Sequence, residues 1–127
     1  MRLVLASLVL SASLLAACGS MSMGAAAPAR QADGVLTGPN GMSLYTFDRD
    51  ATGTGKSVCN GPCATNWPPL LAGDGDKGSG DYSVITRDDG RKQWAFRGKP
   101  LYYWVKDAKP GDRTGDGFNN VWRLARP

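Results

Sequence analysis

Cys59 and Cys63 stand four apart across Asn60-Gly61-Pro62, and they carry the sharpest chemistry in this 127-residue chain. In an oxidising compartment such a pair closes as a disulfide. Its loop is so short that the chain-entropy gain is about 2 kcal/mol. Two rival chemistries use the same thiols: a redox-active dithiol, and a copper site to which Met21 and Met23 could add soft thioether ligands. The chain contains no His. Ser-His and Cys-His nucleophiles are thereby excluded, haem attachment through Cys-x-x-Cys-His fails, and a zinc site cannot be completed. No cofactor and no metal are expected. All eleven acids are Asp, so a hydrolase would have to use an Asp pair. The adjacent candidates, Asp48/Asp50 and Asp88/Asp89, lie in turns, where solvation is expected. The chain reads as a non-enzyme.

The second set of residues is aromatic and acidic. Tyr45-x-Phe47-x-x-Asp50 and Tyr102-x-Trp104-x-x-Asp107 share one frame at a constant offset of 57 (102 − 45, 107 − 50). Gly41/Gly98 and Leu44/Leu101 keep the same offset, and Trp67 and Trp122 close the two copies. A repeat of this length must be read before the fold is argued. One reading makes each copy an aromatic-carboxylate site for a sugar or a cationic group. The blander one places the aromatics in the core and has Asp50 and Asp107 cap the turns that end their strands. The blander one is preferred. Asp74–Asp81 lacks the third alternate acid and the Glu of an EF-hand loop. It reads as a polar surface loop, as does Asp107–Gly117, where weak Ca²⁺ binding is the alternative.

These residues need elements to hold them. Met1-Arg2 and the apolar run Leu3–Leu15 form a secretory signal over residues 1–17. Leu15-Ala16-Ala17-Cys18 resembles the lipobox of bacterial lipoproteins, so Cys18 is the expected lipidation site and the membrane the expected anchor. Residues 18–32 then read as the acylated cysteine and a tether spanning about 20 Å. Residues 33–127 form one domain with repeats at about 33–72 and 82–126. The formal charge is +4, with scattered basic residues. No run is dense enough for a nucleic-acid groove, and the mild positive balance is compatible with an envelope protein or polymer as partner.

Seventeen glycines and short aromatic or β-branched runs describe strands joined by tight turns. Gly34–Thr37 and Ser43–Asp48 flank an Asn-Gly turn, Tyr82–Thr86 and Lys92–Arg97 flank Asp88-Asp89-Gly90, and Leu101–Lys106 and Val121–Ala125 follow. A helical turn is expected around Cys63–Trp67, stopped by Pro68-Pro69. The fold class is all-β: two pseudo-symmetric antiparallel units packed as a small sandwich or flattened barrel, with a continuous meander as the alternative topology.

The doubled Tyr-x-aromatic-x-x-Asp motif, with the Cys59–Leu70 segment between its copies, resembles a family of bacterial lipoproteins with a Yx(FWY)xxD motif, described as secreted repeats of unknown function. The resemblance spans Asp33–Pro127 and implies a lipid-anchored or secreted domain without a transferable activity. Gly19 after the cysteine favours, by analogy with such lipoproteins, the outer membrane, facing the periplasm or the cell surface. The Cys-x-x-x-Cys spacing also resembles that of some cytochrome oxidase assembly proteins, whose copper sites need a histidine. The combined expectation is a lipid-anchored envelope module that binds or builds rather than catalyses. A copper- or redox-handling lipoprotein built on Cys59/Cys63 and an Asp-dependent hydrolase are the alternatives.

Overall fold

A computed structural model describes residues 27–127; the signal segment, Cys18 and most of the tether lie outside the described residues. In chain order the elements are β1 (Arg30–Ala32), β2 (Val35–Thr37), β3 (Tyr45–Phe47), α1 (Pro62–Asn66), β4 (Leu71–Ala72), β5 (Tyr82–Thr86), β6 (Lys92–Phe96), β7 (Lys99–Pro100), a 3-10 turn (Phe118–Asn120) and β8 (Trp122–Leu124). Among the described residues no helix is long and apolar enough to cross a membrane.

Turn chemistry sets the hairpins. Asp33-Gly34 joins β1 to β2 and Arg97-Gly98 joins β6 to β7, and all four residues have positive φ. That is what a two-residue turn matching strand twist demands. The repeat-matched Gly41 and Gly98 share a φ of 81°, a conformation costly for any residue with a Cβ. The glycine three residues before each motif's Leu-Tyr pair is therefore conformational.

Pairing is antiparallel throughout, and its pattern is the main finding. Each repeat begins its own sheet, β1 with β2 in the first and β5 with β6 and β7 in the second. Each repeat's last segment then leaves and enters the other. β8, from the second repeat, pairs with β3 of the first, matching Tyr45 to Leu124 and Phe47 to Trp122. β4, from the first repeat, pairs with β6 of the second. The bonds flanking these strands repeat the exchange. Leu36 N and Leu44 O bind Ala125, just as Trp94 N and Leu101 O bind Leu70. Asp48 N donates to Val121 O and Val105 N to Asn66 O. The repeats are interlocked, each lending the other its closing strand.

The core has two parts. Leu36, Leu44, Leu70, Trp94 and Leu101 form one, while Tyr45, Cys59, Trp67, Tyr102, Trp104 and Trp122 form the other. The expected all-β, two-unit architecture is present as small antiparallel sheets with one short helix. The sheets do not close into a barrel. A continuous meander does not form either, because β8 returns to β3 rather than to its sequence neighbour. The helical turn before Pro68 is α1.

Three local differences remain. β1 and the buried Ala29 fall in the stretch read as tether, because Gln31 and Leu36 are cross-strand partners. Residues 101–106 are not a continuous strand, since their backbone groups are shared between Tyr45 and the 66–70 segment. Period-two parity in that run would bury Val105 with Leu101, yet Leu101 is fully buried and Val105 is 54% exposed.

Candidate functional site

The repeat motif meets itself at the centre. Tyr45 N donates to Tyr102 O at 2.8 Å and Tyr102 N to Tyr45 O at 2.9 Å. A pseudo-two-fold axis thus passes between the matched tyrosines, both fully buried. Each phenol then crosses to the other repeat. Tyr45 Oη donates to Asp107 Oδ2 at 2.7 Å, and Tyr102 Oη to Asp50 Oδ2 at 2.5 Å.

The carboxylates are 5% and 8% exposed, and each also ties down the loop that follows it. Asp50 Oδ1 accepts from Val58 N, and Asp107 Oδ1 from Thr114 N and Oγ1. Asp50 and Asp107 were expected to cap the turns ending their own strands. Instead they span loops of seven or eight residues and anchor the other repeat's tyrosine. Nor is Asp50 solvated, as its turn position suggested. A buried carboxylate left without donors is costly, and these loops supply the donors.

Burial is also the largest influence on the titration of Asp50 and the two phenols. It pushes the Asp50 carboxyl above its ordinary value, against the bonds from Tyr102 and Val58 and the charge of Arg87. It raises both phenols well above theirs, and the carboxylate each one bonds adds to the effect. The tyrosines stay protonated and act as donors.

The remaining motif aromatics form one stack. Phe47 lies on Trp122 (4.2 Å, 11°), Trp122 on Trp67 (3.8 Å, 4°) and Trp67 on Trp104 (4.0 Å, 25°). The order alternates between first and second repeat and is palindromic about the pseudo-axis. Tyr45 meets Trp67 edge-on and Tyr102 meets Trp122 the same way. Offset and edge contacts of this kind are worth about 0.5–1.5 kcal/mol each beyond burial. Gly115 permits the closure. A Cβ there would lie 2.7 Å from the Trp67 ring and 3.0 Å from that of Trp104, while its N–H donates to Tyr45 Oη at 3.2 Å.

The surroundings of the two tyrosines differ. Next to Tyr102, Ser57 Oγ lies 2.6 Å from the phenol oxygen and accepts from Arg87 Nη1 at 3.1 Å. Arg87 is 3% exposed. It also donates to Gln93 Oε1 and to the carbonyl of Cys59, and its Nε has no acceptor among the described residues. The fully buried Gln93 passes the network on to Leu101 O. Among the described residues no arginine bonds in this way beside Tyr45, whose phenol meets Asp107 and Gly115 N. Composition hid this network, since a strand-end Arg and Gln read as surface residues. The available signal was period-two parity, which puts Arg87 on the buried side with Ile85.

Cys59 and Cys63 form a disulfide with Cα atoms 5.2 Å apart, as the spacing suggested. Cys59 is in the aromatic core and Cys63 packs against it. Behind them, an open cleft of about 620 Å³ is lined by Asn60, Gly61, Thr65, Arg87, Asp88 and Arg91, among others. A smaller hollow of about 110 Å³ is lined by Thr46, Asp48, Asp50 and Lys99, among others.

Several acids of the two acidic loops are engaged by backbone donors or basic side chains. Asp76 accepts from Gly73 N, Asp81 pairs with Arg97, and Asp112 binds Ala108 N and Lys109. Among the described residues no group of three or more acids or cysteines is placed to hold a metal ion. The structure therefore brings Tyr45, Phe47, Asp50, Tyr102, Trp104 and Asp107 into one interface and sets the disulfide beside it.

No curated protein and no solved structure matches the chain. Residues 28–71 and 83–126 each match the family model described as a secreted repeat of unknown function, and the chain belongs to that family, Lipoprotein_15.

Proposed function

We propose that this secreted repeat protein is a lipid-anchored module of the bacterial cell envelope, held by an acylated Cys18 at the outer membrane, with a non-catalytic binding or structural role. One observation carries the non-catalytic part: the motif's tyrosines and aspartates are used on each other. Each Tyr–Asp pair is buried, and each carboxylate is filled by a phenol and by its own loop. Trp67 and Trp122 have both faces covered within the stack and Trp104 is buried, which leaves them unsuited to receive a sugar, while Phe47 at one end is half-buried. The anchoring part rests on Leu15-Ala16-Ala17-Cys18 after the apolar leader. Three acyl chains, each CH₂ worth about 0.8 kcal/mol on burial, would make attachment effectively permanent. Labelling of exported chain with radioactive palmitate tests it. Label and membrane partitioning should both vanish in Cys18→Ala, and a Cys18→Ala chain that stays at the membrane overturns the anchor.

An Asp-dependent hydrolase is the second reading, because Asp48 and Asp50 line one hollow and burial pushes the Asp50 carboxyl up. Against it, Asp48 is paired with Arg123, and about 110 Å³ falls well below the 300–1,000 Å³ usual for ligand pockets. Asp48→Asn that abolished a hydrolytic activity of the pure protein would favour it.

A further inference from the structure

We propose that the surface each repeat presents to its neighbour also accepts the same repeat from a second copy of the chain, so that the protein forms a strand-exchanged dimer. The argument begins with which contacts depend on chain connectivity. β3 with β8, β4 with β6, the two Tyr–Asp bonds and the alternating stack all join residues of the first repeat to residues of the second. None of them needs both repeats to come from one molecule. First and second repeats are joined covalently through residues 73–81, and 74–80 hold nothing in place. Their hydrogen bonds stay within 73–82, as a turn from Gly73 to Asp76 and another from Ser79 to Tyr82, and every residue of 73–81 is exposed. Unrolling those two turns leaves every inter-repeat contact available to a partner. Exchange of identical elements between copies is a low-cost route to dimers for this reason.

Geometry says when the exchange wins. β4 and β5 flank β6, with Ala72 level with Thr86 and Tyr82 level with Phe96. To close on its own chain, the connection runs two strand spacings across and the length of β5 back, about 17 Å in all. The natural connection covers that easily. It gives the second repeat an effective concentration on the order of mM at the first, which keeps dilute protein monomeric. Deleting residues 74–79 leaves Gly73, Gly80 and Asp81, which reach at most about 14 Å. Such a chain cannot close on itself and must take its partner from another copy.

The test is light scattering on the full chain and on the full chain lacking 74–79. The deletion variant is expected at twice the monomer mass, with the near-ultraviolet circular dichroism and the Cys59–Cys63 disulfide of the parent. A folded monomer of the deletion variant overturns the proposal. Should the variant not fold, the parent chain decides it. Refolded from denaturant at about 1 mM, it should yield a twofold-mass species that survives dilution, and refolded at about 10 µM it should not. Monomer alone under both conditions overturns the proposal as well.

Discussion

Tyr45 and Tyr102, fifty-seven residues apart in sequence (102 − 45), exchange both of their backbone hydrogen bonds and send their phenols to each other's repeat. The spacing Tyr-x-aromatic-x-x-Asp follows from that. The tyrosine sits on the pseudo-axis, the aromatic two residues on enters the stack, and the acid beyond the strand end waits for the opposite phenol.

Removing one member of a cross-repeat pair leaves the other buried and unsatisfied, which costs about 1–3 kcal/mol and more for a carboxylate. Tyr102→Phe and Asp50→Asn should each destabilise the domain in urea. Together they should cost less than their sum, with a coupling of about 0.5–3 kcal/mol. Strict additivity would mean that the bond contributes nothing.

The stack is a packing device. Trp67→Ala or Trp122→Ala should cost about 3–5 kcal/mol. Gly115→Ala, a far smaller change, should cost about 1–3 kcal/mol because the new methyl meets two rings with no room to move. Equal melting temperatures for Gly115→Ala and the parent would refute the close approach.

The disulfide staples the turn that leads to Trp67. The double variant Cys59→Ala/Cys63→Ala should fold with a loss of about 2 kcal/mol, the entropy of a short loop. A much larger loss, or a pair that reduces under mild thiol, would move attention to redox chemistry.

High pH gives a different test. Burial, with the bonded carboxylates, raises the folded-state pKa of Tyr45 and Tyr102. Unfolded tyrosines ionise near pH 10, so above that value the unfolded state sheds protons that the native state keeps. Their contribution to stability is complete below about pH 10 and is lost as pH rises through the folded values. Absorbance at 295 nm should show these two phenols ionising together with unfolding rather than before it. Free titration of all four tyrosines near pH 10 in the folded protein would contradict their burial.

Much of this was legible in the chain. The 57-residue offset exposed the repeat, Asp-Gly and Asn-Gly marked turns, and Trp67 and Trp122 stood out as matched closers. The exchange of β4 and β8 was not legible, because a two- or three-residue strand has no periodicity and its partner is chosen by tertiary packing. Asp50 and Asp107 were misassigned for a related reason. Sequence favours the nearest backbone donor, whereas their phenol partners arrive only when the repeats interlock. Arg87 escaped notice because a charged side chain beside Asp88-Asp89-Gly90 looks like part of the turn.

The interlocking itself is most directly tested by cutting the folded chain within residues 74–80 and following its unfolding. Each repeat lends the other a closing strand and half of a four-ring stack. The nicked protein should therefore keep its two fragments together on a sizing column and melt in a single transition. Fragments that separate under native conditions, or that melt in two independent steps, would contradict the account.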